Sequence, residues 1–133
     1  MIKILVIEDD PGVQFIFSKI LTLLNYSVCQ ASNGIEGLLK LTPDIKAVIC
    51  DIHMPKMDGF EFLKKFKGTS FWKKIPFIFI SGYIPDSQEE LDQMEGVDCF
   101  LKKPLDIEIF GITFLALLKR YHLVGNLGQN RTE

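Results

Sequence analysis

Stretches in which every residue is apolar constrain this chain most, because they are what a sheet covered by helices on both faces is expected to carry. Ala47-Val48-Ile49-Cys50 and Phe77-Ile78-Phe79-Ile80 are two such stretches, ending at Asp51 and at Ser81-Gly82. Ile4-Leu5-Val6-Ile7 ends at Glu8-Asp9-Asp10, and Cys99-Phe100-Leu101 ends at Lys102-Lys103-Pro104. Short apolar runs near 2–7, 27–31, 47–50, 77–80 and 97–101 alternate with longer segments of helical spacing. That alternation predicts strands joined by crossover helices, hence an α/β domain with a five-stranded parallel sheet and right-handed crossovers. Ligands of open sheets bind beyond the carboxyl ends of the strands. Acids, a hydroxyl, an amine and Asp51 are therefore expected to meet at one rim.

Helix starts carry their own punctuation. Asp10 can cap a helix that opens at Pro11, where the missing amide hydrogen costs nothing. Asn33 with Glu36, Asp58 with Glu61, and Asp86 with Glu89 each place an acceptor three residues before a carboxylate, as a capping box does. Pro104 is expected to open the last helix. In the first helix Val13, Phe17, Ile20 and Leu24 share one face, which should be buried.

At 133 residues the chain fits one domain with a sizeable core. A formal charge of −2, with Lys interleaved among Asp and Glu, provides no global basic field, so direct nucleic-acid binding is disfavoured. Cys29, Cys50 and Cys99 lack any metal-ligand or CxxC spacing and are read as buried, reduced thiols of a cytoplasmic protein. Ile2 already belongs to strand-like sequence, without a leader, and no apolar run is long enough for membrane insertion. The tail from Leu123 to Glu133, rich in Gly and Asn, reads as loosely attached.

The segment Asp51-Ile52-His53-Met54-Pro55-Lys56-Met57-Asp58-Gly59, preceded by Glu8-Asp9-Asp10 and followed by Ser81-Gly82 and Lys102-Lys103-Pro104, resembles the receiver domain of two-component response regulators. DxxMPxMDG together with the other three strings is hard to obtain by chance. The resemblance implies a doubly wound five-stranded parallel sheet of order 2-1-3-4-5, the flavodoxin-like receiver fold, over residues 1–122, with 123–133 a short flexible tail. It also implies a phospho-acceptor Asp51 charged by a histidine kinase or a phosphotransfer protein, a divalent cation and a conformational switch.

Three carboxylates on neighbouring strands repel one another, and a hard cation with oxygen ligands removes the conflict. In the receiver pattern Asp9, Asp51 and the backbone carbonyl of His53 bind Mg2+, with Mn2+ an acceptable substitute, while Glu8 acts through water. Lys103 and the hydroxyl of Ser81 would hold phosphoryl oxygens. Phe100 stands at the aromatic switch position, without the hydroxyl of a tyrosine. The Lys103-Pro104 bond is typically cis in this family. His53 and Tyr83, each two residues past a site residue, are expected to slow self-dephosphorylation. Such a chain is not an enzyme: it catalyses only its own phosphoryl transfer and slow autodephosphorylation.

Other features have plainer explanations. Helix capping accounts for Asp10. His122 reads as a favourable charge at a helix carboxyl end. The lysines at 64, 65, 67, 73 and 74 read as a solvated face, and Phe60, Phe62, Phe66, Phe71 and Trp72 as core or loop anchors. The last helix carries two apolar stripes, Ile107-Phe110-Phe114-Leu117-Tyr121 and Leu105-Ile109-Ile112-Ala116. One can face the sheet. The other would be exposed on the surface of the fourth helix, fifth strand and fifth helix, where a homodimer or an unknown downstream partner is expected. With no output module after residue 122, a separate partner reads the switch or the chain is part of a longer regulator.

Two other classes compete. Haloacid-dehalogenase-type phosphatases also use a strand-end aspartate and magnesium, but want two aspartates spaced by one residue, whereas Ile52-His53 follow Asp51. A flavin-binding module would want a Ser/Thr/Gly phosphate loop where Glu8-Asp9-Asp10 stand.

Overall fold

The computed structural model describes residues 1–121. In chain order the elements are β1 (Lys3–Ile7), α1 (Pro11–Leu23), β2 (Ser27–Ala31), α2 (Gly34–Lys40), β3 (Ile45–Asp51), α3 (Gly59–Phe66), β4 (Phe77–Ser81), α4 (Gln88–Gln93), β5 (Cys99–Lys102) and α5 (Ile107–Arg120). All strand pairs are parallel, in the order β2-β1-β3-β4-β5. This is the predicted doubly wound sheet. The readings of the 123–133 tail and of His122 lie outside the described residues.

Successive strand residues point to opposite faces, and the chain fills both faces with apolar groups. Ile4, Val6, Ala47, Ile49, Ile78 and Ile80 face one core with Phe17 and Leu21 of α1 and Phe110, Phe114 and Leu118 of α5. Leu5, Ile7, Val48, Cys50, Phe77 and Phe79 face the other with Phe62, Leu63 and Phe66 of α3. A one-residue slip of β3 or β4 would exchange these sets without exposing a polar side chain, so apolar patterning alone does not fix their register. The register is set by the ladder, in which Asp51 stands opposite Ile80 and Ser81 opposite Lys102.

Several expectations need correction. Leu24 is 45 % exposed, and Leu21 takes the inner position instead. The reason is that Leu24 caps α1 and the chain then turns at Asn25, whose φ is 67°. The cap of α4 is Ser87, one residue later than expected: its Oγ accepts from the Glu90 amide at 3.1 Å. Pro104 does not open α5. It follows a cis peptide bond in the turn, and Asp106 caps the helix by accepting from the Ile109 amide at 3.0 Å. Of the cysteines only Cys50 is fully buried, since Cys29 and Cys99 lie on the edge strands β2 and β5.

The other caps stand where the sequence put them. Asp10 receives the amides of Gly12 and Val13, Asn33 that of Glu36, and Asp58 and Glu61 form a reciprocal capping box. No described helix is long and apolar enough to cross a membrane.

Candidate functional site

Because all five strands run the same way, their carboxyl ends share one rim, and β1, β3, β4 and β5 deliver Glu8-Asp9, Asp51, Ser81 and Lys103 to it. Backbone hydrogen bonds beyond the strands keep these ends in register. Glu8 N–H donates to the Ala31 carbonyl at 2.9 Å, Ile52 N–H to Ile80 at 3.1 Å, and Lys103 N–H to Ser81 at 2.7 Å. The Gln14 side-chain amide also donates to the Glu8 carbonyl, tying α1 to the same rim.

Glu8, Asp51 and Ser81 are the buried polar residues among those described. Carboxylate oxygens of Glu8, Asp9 and Asp51 lie within 4.8 Å of one another, with Asp9 exposed and the other two buried. Lys103 Nζ lies 2.5 Å from Glu8 Oε1 and 3.3 Å from Asp51 Oδ2. Sequence reasoning gave Glu8 only an indirect part, whereas here it is the nearest anion to the lysine. The extra methylene of Glu over Asp is the signal that such reach was available.

The electrostatics follow from burial. Desolvation pushes Glu8 up from 4.5 to about 7, the Asp51 charge pushes the same way, and the Lys103 and Asp10 hydrogen bonds oppose it. Burial pulls the Lys103 ammonium down, but Glu8 and Asp51 outweigh burial and hold it above its ordinary value. One ammonium thus pairs with two members of a cluster of three carboxyl groups. The donor set is all oxygen, partly open to solvent through Asp9 and short of positive charge, which fits a hard divalent cation.

The loop after β3 is drawn tightly over the site. A Cβ on Gly59 would come within 2.6 Å of the Asp51 carbonyl oxygen and 2.8 Å of the Ile52 Cα, both backbone atoms that cannot swing aside. Only glycine lets α3 start so close to the strand end, and Gly59 N–H donates to the Ile52 carbonyl at 2.7 Å.

His53 and Tyr83 do meet: their rings stack at 4.5 Å between centroids, tilted by 33°, with both side chains exposed at the mouth of the site. The Tyr83 hydroxyl donates to Glu90 on α4 at 2.7 Å. Partial desolvation beside the His53 ring first, then this bond, push the phenol up to about 12, and the same bond draws the Glu90 carboxyl down. Glu90 was missed because the expected cap, Asp86 with Glu89, misassigned the phase of α4. Ser81 Oγ accepts from the Tyr83 amide at 3.3 Å, and Phe100, opposite Phe79, packs half-buried on the α3 face.

The second stripe of α5 is exposed as expected, at Ile109 (55 %), Ile112 (71 %) and Ala116. The first stripe is buried apart from Ile107, which is 60 % exposed, and half-buried Tyr121.

Residues 4–113 match the family described as the response regulator receiver domain. Among curated proteins, the DNA-binding dual master transcriptional regulator RpaA of Synechocystis is 34 % identical over 125 residues, covering 90 % of this chain and 50 % of RpaA. The chain spans about half the length of the curated relatives it matches. Among solved structures, chemotaxis protein CheY4 of Vibrio cholerae superposes with a TM-score of 0.77 at 28 % identity, covering 89 % of this chain and 99 % of that one. A response regulator receiver domain protein of Clostridium thermocellum gives a TM-score of 0.80 at 28 % identity, covering 93 % and 99 %.

Proposed function

Since the chain belongs to the response regulator receiver family, we propose that Asp51 is its phosphoryl acceptor and that the domain passes the modified state on through protein contacts. The observation that carries this reading is the placement of Asp51, 4 % exposed at a strand end, with an ammonium at 3.3 Å and two further carboxyl groups beside it. A histidine kinase or phosphotransfer protein is the donor. The family match favours this reading over the haloacid-dehalogenase-type phosphatase.

In the transfer, an Asp51 carboxylate oxygen forms a bond to phosphorus while the bond from phosphorus to the donor's imidazole nitrogen breaks. The imidazole leaves with the electron pair and takes up a proton from solvent. Such chemistry depends on positioning and on neutralising the equatorial oxygens. Asp9, Asp51 and the His53 carbonyl would hold Mg2+, with Glu8 acting through water. When bound, the ion supplies positive charge beside the transferred oxygens.

Lys103 supplies the second positive charge. It must loosen from Glu8 to do so, and the phosphoryl dianion gives it the stronger partner. Ser81, its side chain buried, turns its hydroxyl to a third oxygen, and Phe100 follows into the space released. His53 and Tyr83 cover the approach of water and lengthen the life of the acyl phosphate. The Tyr83 bond to Glu90 braces that cover from α4. The output surface is the face of α4, β5 and α5, by homodimer formation or by a downstream protein, in the cytoplasm.

The test is intact mass after incubation with magnesium and acetyl phosphate. Addition of one phosphoryl group to the wild type and none to Asp51→Asn is expected. An adduct of equal yield in the variant would remove Asp51 from the role.

A further inference from the structure

A concavity lies at the opposite rim, where the strands begin. It has a volume of about 620 Å³ and is lined by the cationic side chains Lys46, Lys73, Lys74 and Arg120 and by the rings of Phe71 and Tyr121. Among the described residues no carboxylate lines it. Arg120 is 3.6 Å from Asp98 yet 65 % exposed, so that acid tethers the guanidinium without enclosing it. Asp98 is itself shared with the Tyr121 hydroxyl at 2.5 Å and the Phe77 amide at 2.8 Å. Asp44, in the loop before β3, is paired with Lys3 at 3.1 Å.

We infer that this cavity is a second site, for a small phosphate-bearing anion. A solvated lysine face spreads its charges over a convex surface, whereas these four residues border one hollow of the size that takes small ligands. Cationic residues around a hollow that no described carboxylate lines call for a ligand of several negative charges, and phosphate oxygens suit both the ammonium groups and the planar guanidinium. The half-buried rings offer apolar surface for a nucleoside attached to the phosphates. The seven residues of β3 separate the cavity from Asp51 by about 20 Å of strand, so the two sites do not compete for one ligand.

The probes are sodium tripolyphosphate and ATP, each titrated into the full chain at low salt with EDTA present, so that metal-dependent binding at the Asp51 rim is excluded. Saturable amide shifts at Lys46, Phe71, Lys74 and Tyr121 are expected, weakened about tenfold in Lys46→Gln/Lys74→Gln and less than about twofold in Lys64→Gln/Lys65→Gln. Tighter binding of ATP than of tripolyphosphate identifies a nucleotide, and equal binding identifies the phosphate chain alone. Lys73→Gln/Lys74→Gln, both at exposed positions, replaces the first variant should it lose its far-UV spectrum. No saturable shift, shifts centred on the Asp51 rim, or equal weakening by the α3 control pair would overturn the site. Tighter binding of an oligoglutamate of matched charge would overturn the phosphate assignment.

Discussion

Glu8 is a carboxyl group out of water, and its titration is written into the stability of the fold. Below pH 4.5 it is protonated whether the chain is folded or not. Between about 4.5 and 7 the unfolded chain gives up a proton that the folded chain keeps, so in metal-free buffer stability falls as pH rises through that window and levels off above it. Denaturant midpoints measured in EDTA should show this decline in the wild type, with a shallower slope in Glu8→Gln. Magnesium at pH 8 should restore part of the loss, because a ligand of the native state stabilises it by mass action. A wild type and variant of equal slope would place the burden on another group. His53 and Tyr83 carry the second residue-scale prediction. Replacing both by Ala should shorten the phosphoryl lifetime severalfold, read by loss of the mass adduct after donor removal. An unchanged lifetime would leave the stacked rings with no part in excluding water.

The β3–α3 connection is the element on which the site most depends. Gly59→Ala pushes a methyl group into the Asp51 carbonyl and the Ile52 Cα, so it should cost about 1–3 kcal/mol and also slow phosphorylation. Asp58→Ala removes only a cap and should cost about 1 kcal/mol without affecting the site to the same extent. Urea unfolding together with acetyl phosphate kinetics separates the two. If Gly59→Ala retains wild-type phosphorylation, the tight approach has no bearing on the chemistry. The helices also show where patterning misleads. Leu24 follows the period of α1 but falls on its cap, and Pro104 is compatible with a helix start yet stands before one. A spacing rule reports which face a residue would take if the helix continued, not where the helix ends.

The carboxylate and lysine cluster lies at one rim of the molecule, and part of the exposed apolar surface runs along α5. Ile109 and Ile112 stand out from the helix in line with half-buried Leu105, next to Leu101 of β5. Sedimentation velocity should detect a larger species when beryllium fluoride and magnesium mimic the acyl phosphate, and Ile112→Glu should abolish it. A monomer under both conditions would assign this face to a different partner.

The apolar runs determined the layers of this protein, and the acids, hydroxyl and lysine that end them determined its family resemblance, because burial and strand-end placement are local consequences of residue order. Glu8, Asp9, Asp51, Ser81 and Lys103 were legible for that reason. Distance was not. That Glu8 lies closer to Lys103 than Asp51 does, that His53 stacks on Tyr83, and that Tyr83 reaches Glu90 depend on how strands distant in sequence stagger and on where α4 begins. The cationic hollow at the far rim is of the same kind. Lys46 and Arg120 are 74 positions apart, and only the parallel closing of the sheet brings the start of β3 beside the end of α5.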